Sequence, residues 1–328
     1  MDLEAILGTA LRSAVGPQAA VYALLAIGLN VHYGYTGLLN FGQVGFMLVG
    51  AYGLGISVAT WGLSLWAGIV VGLIAGVLLA LLLGAPTLRL RADYFAITTI
   101  AVAEVLRLVF RSSPATPITG GPFGLQSIAN EFYALNPLTR GIRLGPFTYS
   151  VNVSWSLIVT WALVLLATIL VTLLVRSPWG RVLRSIREDE DAARALGKNV
   201  FSYKMQSLVL GGVLGSVGGI MFAIAGSTVN ADAFRPQITF FAYAILILGG
   251  AATRIGPIVG AIIFWFLFSG VQGLVRDAQG ADLLPGVLSG ANAVGASALI
   301  LMGTALVLLV VFRPQGIFGD LRELKLDA

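Results

Sequence analysis

Cysteine is absent from this 328-residue sequence, histidine occurs once, and charge is scarce. Without cysteine there are no disulfides, no thiolate metal sites and no cysteine nucleophile. With His32 as the lone imidazole, a histidine-based metal cluster or proton relay is excluded too. Charged residues make up 11% of the chain against 57% hydrophobic, with a mean hydropathy of +0.91. A soluble domain carries roughly 25% charged residues, so a surface this poor in charge belongs in lipid. Also missing are a GxxxxGK-S/T phosphate loop, an HExxH pair, paired carboxylates and a Ser/His/Asp set. Nothing here hydrolyses ATP, and no enzyme chemistry is indicated. Asp2 and Glu4 precede the first Arg, the wrong charge order for a secretory signal, so no cleavage is expected.

What is present is apolar sequence in long blocks. No Asp, Glu, Lys or Arg lies between Arg12 and Arg89, and further uncharged runs separate Arg143 from Arg176, Lys204 from Asp232, Arg235 from Arg254, Arg254 from Arg276 and Asp282 from Arg313. A membrane-crossing helix needs about 20 apolar residues. The first run therefore holds three spans and each later run one. Backbone polar groups in lipid must be satisfied internally, which makes the runs helices; the alternation of a β-barrel is missing from LLALLL at 78–83. The spans are expected near 17–36, 37–59, 62–84, 94–111, 151–175, 205–228, 237–252, 256–275 and 293–312, within a range of eight to ten. The second, rich in glycine and carrying Asn40 and Gln43, is a candidate for a broken or re-entrant segment. The expected fold is thus an all-α polytopic membrane protein forming a single transmembrane domain over 1–328.

Seven of the 20 basic residues fall in 176–204, which places that loop in the cytoplasm. Counting spans from there puts the 313–328 tail in the cytoplasm, the Pro-containing 112–150 stretch outside, and the N-terminus outside. The tail after Pro314 is expected to fray. Gly37, Gly42, Gly45, Gly50 and Ala51 echo Gly250, Gly256, Gly260 and Ala261, and inverted repeats on Gly-interrupted helices occur in transporters. With 41 glycines in the chain, chance also produces such echoes.

The sharpest local signal is SPWGRVLRSIREDEDAARALGKNVFSYK. Trp179, Val182, Leu183 and Ile186 share one helical face. Arg187, Glu188, Asp189, Glu190 and Asp191 concentrate charge at a turn. Ala192, Ala193, Arg194 and Ala195 restart a short helix, its N-terminal end acidic as the dipole favours, and Gly197 stops it. Such a projection fits a cleft on a soluble partner; the plainer reading is a solvated loop that enforces topology.

The spacing Asp191-Ala192-Ala193-x-x-x-Gly197 resembles the EAA loop of ABC importer permeases, with Asp for Glu. Read in order, further segments resemble one family. Gly28-Leu29-Asn30 with Gly34-Tyr35-Thr36-Gly37-Leu38-Leu39 and Gly50-Ala51-Tyr52 look like its first signature. Leu88-Arg89-Leu90-Arg91-Ala92-Asp93-Tyr94-Phe95-Ala96-Ile97, then Glu104, Arg107 and Leu108, resemble "LRLRGDYFAI" and "ExxRL". Thr119-Gly120-Gly121-Pro122-Phe123-Gly124-Leu125 resembles "TGGPNGL", and Phe312-Arg313-Pro314-Gln315-Gly316 resembles "FRPxG". The chain is identified by these as similar to branched-chain amino acid ABC transporter permeases, LivM-type subunit. It departs from them at Asn40, Ala92 and Asp191.

That resemblance implies a permease subunit of an ATP-driven, binding-protein-dependent importer in a bacterial inner membrane. Leucine, isoleucine and valine are the implied substrates, with urea, short amides or other amino acids as alternatives within the class. Its partners would be a second homologous permease, two cytoplasmic ATPases carrying ATP and Mg, an extracytoplasmic binding protein and membrane lipid, with no nucleic acid. The chain itself would bind no cofactor or metal. Residues 187–197 would couple to the ATPases, and Thr119, Gly120, Gly121, Pro122 and Phe123 would help dock the binding protein.

Glu104 and Arg107, spaced i, i+3, can pair on one helix face. They sit either beside the translocation path or in a structural ion pair near the outer end of their span, and the position favours the ion pair. Asn30, Asn40 and Gln43 either line the path or bond neighbouring helices. His32 is expected to serve packing. The rival function is an ion- or proton-coupled secondary transporter, which needs mid-membrane carboxylates; only Glu104 qualifies.

Overall fold

The computed structural model describes residues 3–144, 147–280, 293–312 and 316–319. Helix α1 (Leu3–Val15) meets α2 (Pro17–Leu29) at Gly16 with a 44° bend. Helix α2 continues as a π-helical turn over Asn30–Tyr35. Residues 37–42 are not helical, and α3 (Gln43–Gly55) follows, ending in a second π turn, Ile56–Thr60. The second expected span therefore begins six residues late. Gly37 turns at φ +75°, and the Asn40 side chain accepts from Gly42 N at 2.9 Å, a local turn that competes with the helix.

Helices α4 (Leu65–Thr87) and α5 (Ala92–Arg111) lead into the 112–150 segment. There lie the short helices α6 (Thr116–Thr119) and α7 (Asn130–Ala134), strand β1 (Leu125–Gln126) and the antiparallel pair β2 (Arg143–Leu144) and β3 (Phe147–Thr148). Next come α8 (Val151–Arg176), α9 (Pro178–Glu188), α10 (Glu190–Ala195) and α11 (Val200–Gly226), then strand β4 (Thr228–Val229), which pairs with β1. Helices α12 (Gln237–Gly249), α13 (Gly256–Gly280) and α14 (Ala293–Phe312) complete the fold.

Among the described residues, six helical segments are long and apolar enough to cross a membrane, or seven with α1–α2 counted as one broken span. Helix α5 has the length but carries Asp93, Glu104, Arg107 and Arg111. At 26 and 27 residues, α8 and α11 extend about 40 Å, longer than the hydrocarbon core of roughly 30 Å. Three of the long apolar helices begin on side-chain caps: Ser64 accepts from Ala67 N, Ser150 from Val153 N and Asn199 from Ser202 N. Each supplies an acceptor where the helix exposes its first free amides.

Helices α2, α3 and α11 form the buried centre, and α4 and α8 turn Leu78, Leu82, Leu166 and Leu173 outward. Without a hydrophobic drive between helices in lipid, close approach must hold them. A Cβ added at Gly53 would sit 2.5 Å from the Cα of Gly72, so α3 and α4 cross on bare backbone. Ser216 of α11 donates to Phe46 O at 3.0 Å, stitching α11 to α3.

One end of the bundle carries the α9–α10 hairpin, the 36–42 break and the 250–255 connection. The other carries the 112–150 segment, where Thr60 donates to Ile118 O at 2.8 Å and Leu65 N to Glu131 at 2.6 Å. Both α2 and α12 run toward the hairpin end, and α3 and α13 run back. The two Gly-rich segments that echo one another thus have the same sense, and do not form an inverted pair. Arg313, Pro314 and Gln315 lie outside the described residues. Of the tail, residues 316–319 are described and these dock: Ile317 N and Phe318 N donate to Leu248 O and Gly249 O at 3.0 and 3.2 Å, and the remainder of the expected fraying segment lies outside the described residues.

Candidate functional site

Helix α9 sets its apolar face, Leu183 and Ile186, against the bundle. Asp189 then takes an extended conformation, and its carboxylate accepts from Asp191 N and Ala192 N, both at 2.9 Å. This one residue ends α9 and caps α10. Gly197, at φ +76°, closes α10: Lys198 N donates to Ala193 O at 3.2 Å and Gly197 N to Arg194 O at 3.0 Å. That pair of bonds around a left-handed glycine is a Schellman motif.

Ala193 is buried, while Glu188, Asp191, Ala192 and Leu196 face outward, Leu196 at 79% exposure. Arg194 bridges Glu190 and Asp191 at 2.9 and 3.0 Å, and Glu190 also bonds Lys204 at the base of α11. Arg187 reaches the other way, donating to Gly34 O at 2.6 Å. A cavity of about 290 Å³ opens here, lined by Thr36, Leu38, Arg91, Arg187, Glu190 and Lys204.

Asn40 and Gln43 are brought together with His32 in the buried centre, while Asn30, buried as well, turns to the 250–255 connection. His32 Nε2 lies 3.2 Å from Leu208 O, which can only accept, so Nε2 carries the proton. Nδ1 then accepts from the Asn40 amide at 3.1 Å, whose second hydrogen goes to Gln43 Oε1 at 3.1 Å. Gln43 Nε2 donates to Gly211 O at 3.0 Å. Asn30 accepts from Ala252 N and donates to Thr253 O, both at 2.8 Å. Every one of these side chains bonds one segment of the bundle to another.

At the opposite end, Glu104 and Arg107 pair through two bonds, Nε to Oε2 at 2.9 Å and Nη2 to Oε1 at 2.6 Å. Arg107 also donates to Asp232 at 3.0 Å, and Asp232 accepts from Arg111 at 3.0 Å. Asp232 is a member the sequence reading missed, although it stands alone between Lys204 and Arg235, which is a usable signal. An aromatic patch joins α12 to the 36–42 break. Phe41 lies 5.7 Å from the half-exposed Phe240 and 5.0 Å from Tyr243, between ring centres. The Thr99 hydroxyl accepts from Phe41 N at 3.0 Å, fixing the break to α5.

Thr119, Gly120, Gly121, Pro122 and Phe123 form a tight turn. The Thr119 hydroxyl donates to Phe110 O at 2.7 Å and accepts from Gly121 N at 3.2 Å, while Asn230 donates to Pro122 O at 3.1 Å. The turn presents Phe123 at 83% exposure. Among the described residues no cluster of acidic or imidazole groups could hold a metal ion.

Residues 13–291 match the family model described as "Branched-chain amino acid transport system / permease component". A high-affinity branched-chain amino acid transport system permease protein LivM from Escherichia coli is 30% identical over 318 residues, 93% of this chain and 70% of that protein. The LivM protein of Salmonella typhimurium is 29% identical over 96% of this chain and 72% of its own length. A guanosine ABC transporter permease, NupQ of Bacillus subtilis, is 26% identical over 81% of this chain and 82% of its length. With a family model covering most of its length, the chain is a multi-pass membrane protein that belongs to the branched-chain amino acid transport system permease component family.

Proposed function

We propose that this chain forms half of the translocation path of an inner-membrane importer for leucine, isoleucine and valine, driven by ATP hydrolysed on partner subunits. Family membership supports the permease role, and the exposed, independently capped α9–α10 hairpin is the observation that supports ATPase coupling. Glu188, Asp191, Ala192 and Leu196 offer an acidic rim around a small apolar tip, sized for a cleft on a soluble subunit. The chain holds no cofactor in this reading; ATP and Mg belong to two cytoplasmic ATPases. The hairpin end and the C-terminus are then cytoplasmic, and the turn carrying Phe123 faces an extracytoplasmic binding protein.

The path is read along α5. Charges at membrane depth face protein or water rather than lipid, and non-helical backbone there lines a cavity or lies in protein. The flank of α5 bearing Ile97, Glu104 and Arg107, together with Phe41 and Phe240, meets both conditions, and a second permease would cover it. Asn30, Asn40 and Gln43 act in this reading as struts behind the wall. Glu104 is held by Arg107 rather than left free to carry a proton, which weighs against the secondary transporter.

The test is uptake by cells lacking the native system and carrying this chain with its neighbouring subunits. Uptake of labelled leucine, competed by isoleucine and valine and lost on ATP depletion, is expected. Uptake of guanosine instead would move the substrate to nucleosides, as the similarity to NupQ allows. Uptake that survives ATP depletion and follows the proton gradient would overturn the class.

A further inference from the structure

A hydrogen bond from the Arg187 side chain crosses from the hairpin to the membrane breaks. Arg187 stands on the last turn of α9 and donates to the carbonyl of Gly34 at 2.6 Å. Gly34 lies near the end of the π turn Asn30–Tyr35, where a helix leaves carbonyls without amide partners. A guanidinium there also meets the negative end of the helix dipole. The fit is close: a Cβ added at Gly37 would meet Cγ, Cα and Cβ of Arg187 at 3.4 to 3.7 Å.

The same π turn is gripped from its other side. Asn30 holds Ala252 N and Thr253 O at 2.8 Å each, so the 250–255 connection hangs on it. The 36–42 break leaves from its end and carries Phe41 into the aromatic patch with Phe240. This π turn connects one arginine to two breaks.

We propose that Arg187 is the positioning residue through which displacement of the hairpin reaches the membrane, with the π turn as the moving piece and Asn30 passing the motion to the 250–255 connection. This rests on reading 187–197 as the ATPase-coupling hairpin. The hairpin's other contacts, Leu183 and Ile186 on the bundle and Glu190 on Lys204, hold it in place. Arg187 adds a hydrogen bond to the helix end at which the chain breaks.

The test uses the complete transporter in proteoliposomes, with ATP hydrolysis and substrate uptake measured in the same vesicles. For Arg187→Ala, uptake per ATP is expected to fall roughly 10-fold, the size of an ordinary coupling loss, while hydrolysis stays near wild type. Arg187→Lys, which keeps a charged donor, restores part of it, and Asn30→Ala shows the same split as Arg187→Ala. Unchanged uptake per ATP in Arg187→Ala would overturn the proposal. Loss of the ATPases from the purified Arg187→Ala complex would overturn it as well, since the residue would then serve docking. A wild-type preparation without ATPases would instead strike at the coupling-hairpin reading itself.

Discussion

Asp232 holds Arg107 and Arg111 at 3.0 Å each, and the Arg107 side chain is only 13% exposed. Asp232→Asn removes the charge that closes this cluster and leaves Arg107 with Glu104 alone. The expected loss is about 1 kcal/mol after allowing for the half-exposed Arg111 and solvent screening, read as a lower melting temperature in detergent. An unchanged melting temperature would mean that the cluster is solvated rather than structural. At the hairpin, Gly197 occupies a left-handed conformation that a β-branched residue resists. Gly197→Val should weaken the α10 stop by about 1 kcal/mol and reduce co-purifying ATPase, with Gly197→Asn close to wild type. Equal retention of ATPase by both variants would contradict this.

The hairpin was readable in the sequence because its signals are local. An acid three residues ahead of an Ala-rich turn caps it, and a glycine ends it, whatever the rest of the chain does. The 36–42 break was only suspected. An apolar run is helical by hydropathy up to the point where Asn40 bonds its own backbone, and hydropathy does not register that bond. The same limit hid the partnership of Asn40, Gln43 and His32 with Leu208 and Gly211 of α11, which depends on how α11 packs. Helix α1 went unread because it continues α2 beyond Gly16 instead of forming its own apolar run. At this scale the exposed α12 face makes a prediction. Phe240→Ala should leave the yield of folded protein unchanged, since Phe240 is half exposed, yet alter the uptake rate and the relative rates for leucine and valine. Unaltered rates would move the path away from this face.

For the whole molecule, the absence of cysteine is an experimental advantage. Phe123 and Leu196, exposed at opposite ends of the bundle, can each be made the single cysteine of the chain. With the chain expressed without its ATPases, a membrane-impermeant maleimide should label Phe123→Cys in intact cells and Leu196→Cys only after permeabilisation. The reverse pattern would invert the topology.

In the proposed function this permease works through separate ATPases docked on the α9–α10 hairpin. The most direct test is to purify the native complex in mild detergent, identify what accompanies the chain by mass spectrometry, and repeat this with Glu188→Lys combined with Leu196→Asp. Both residues face outward, so the fold is expected to survive. Two ATPases and a second permease should accompany the wild type, and the variant should keep the permease but lose the ATPases. A wild-type chain recovered alone, or a variant that retains its ATPases, would contradict the account.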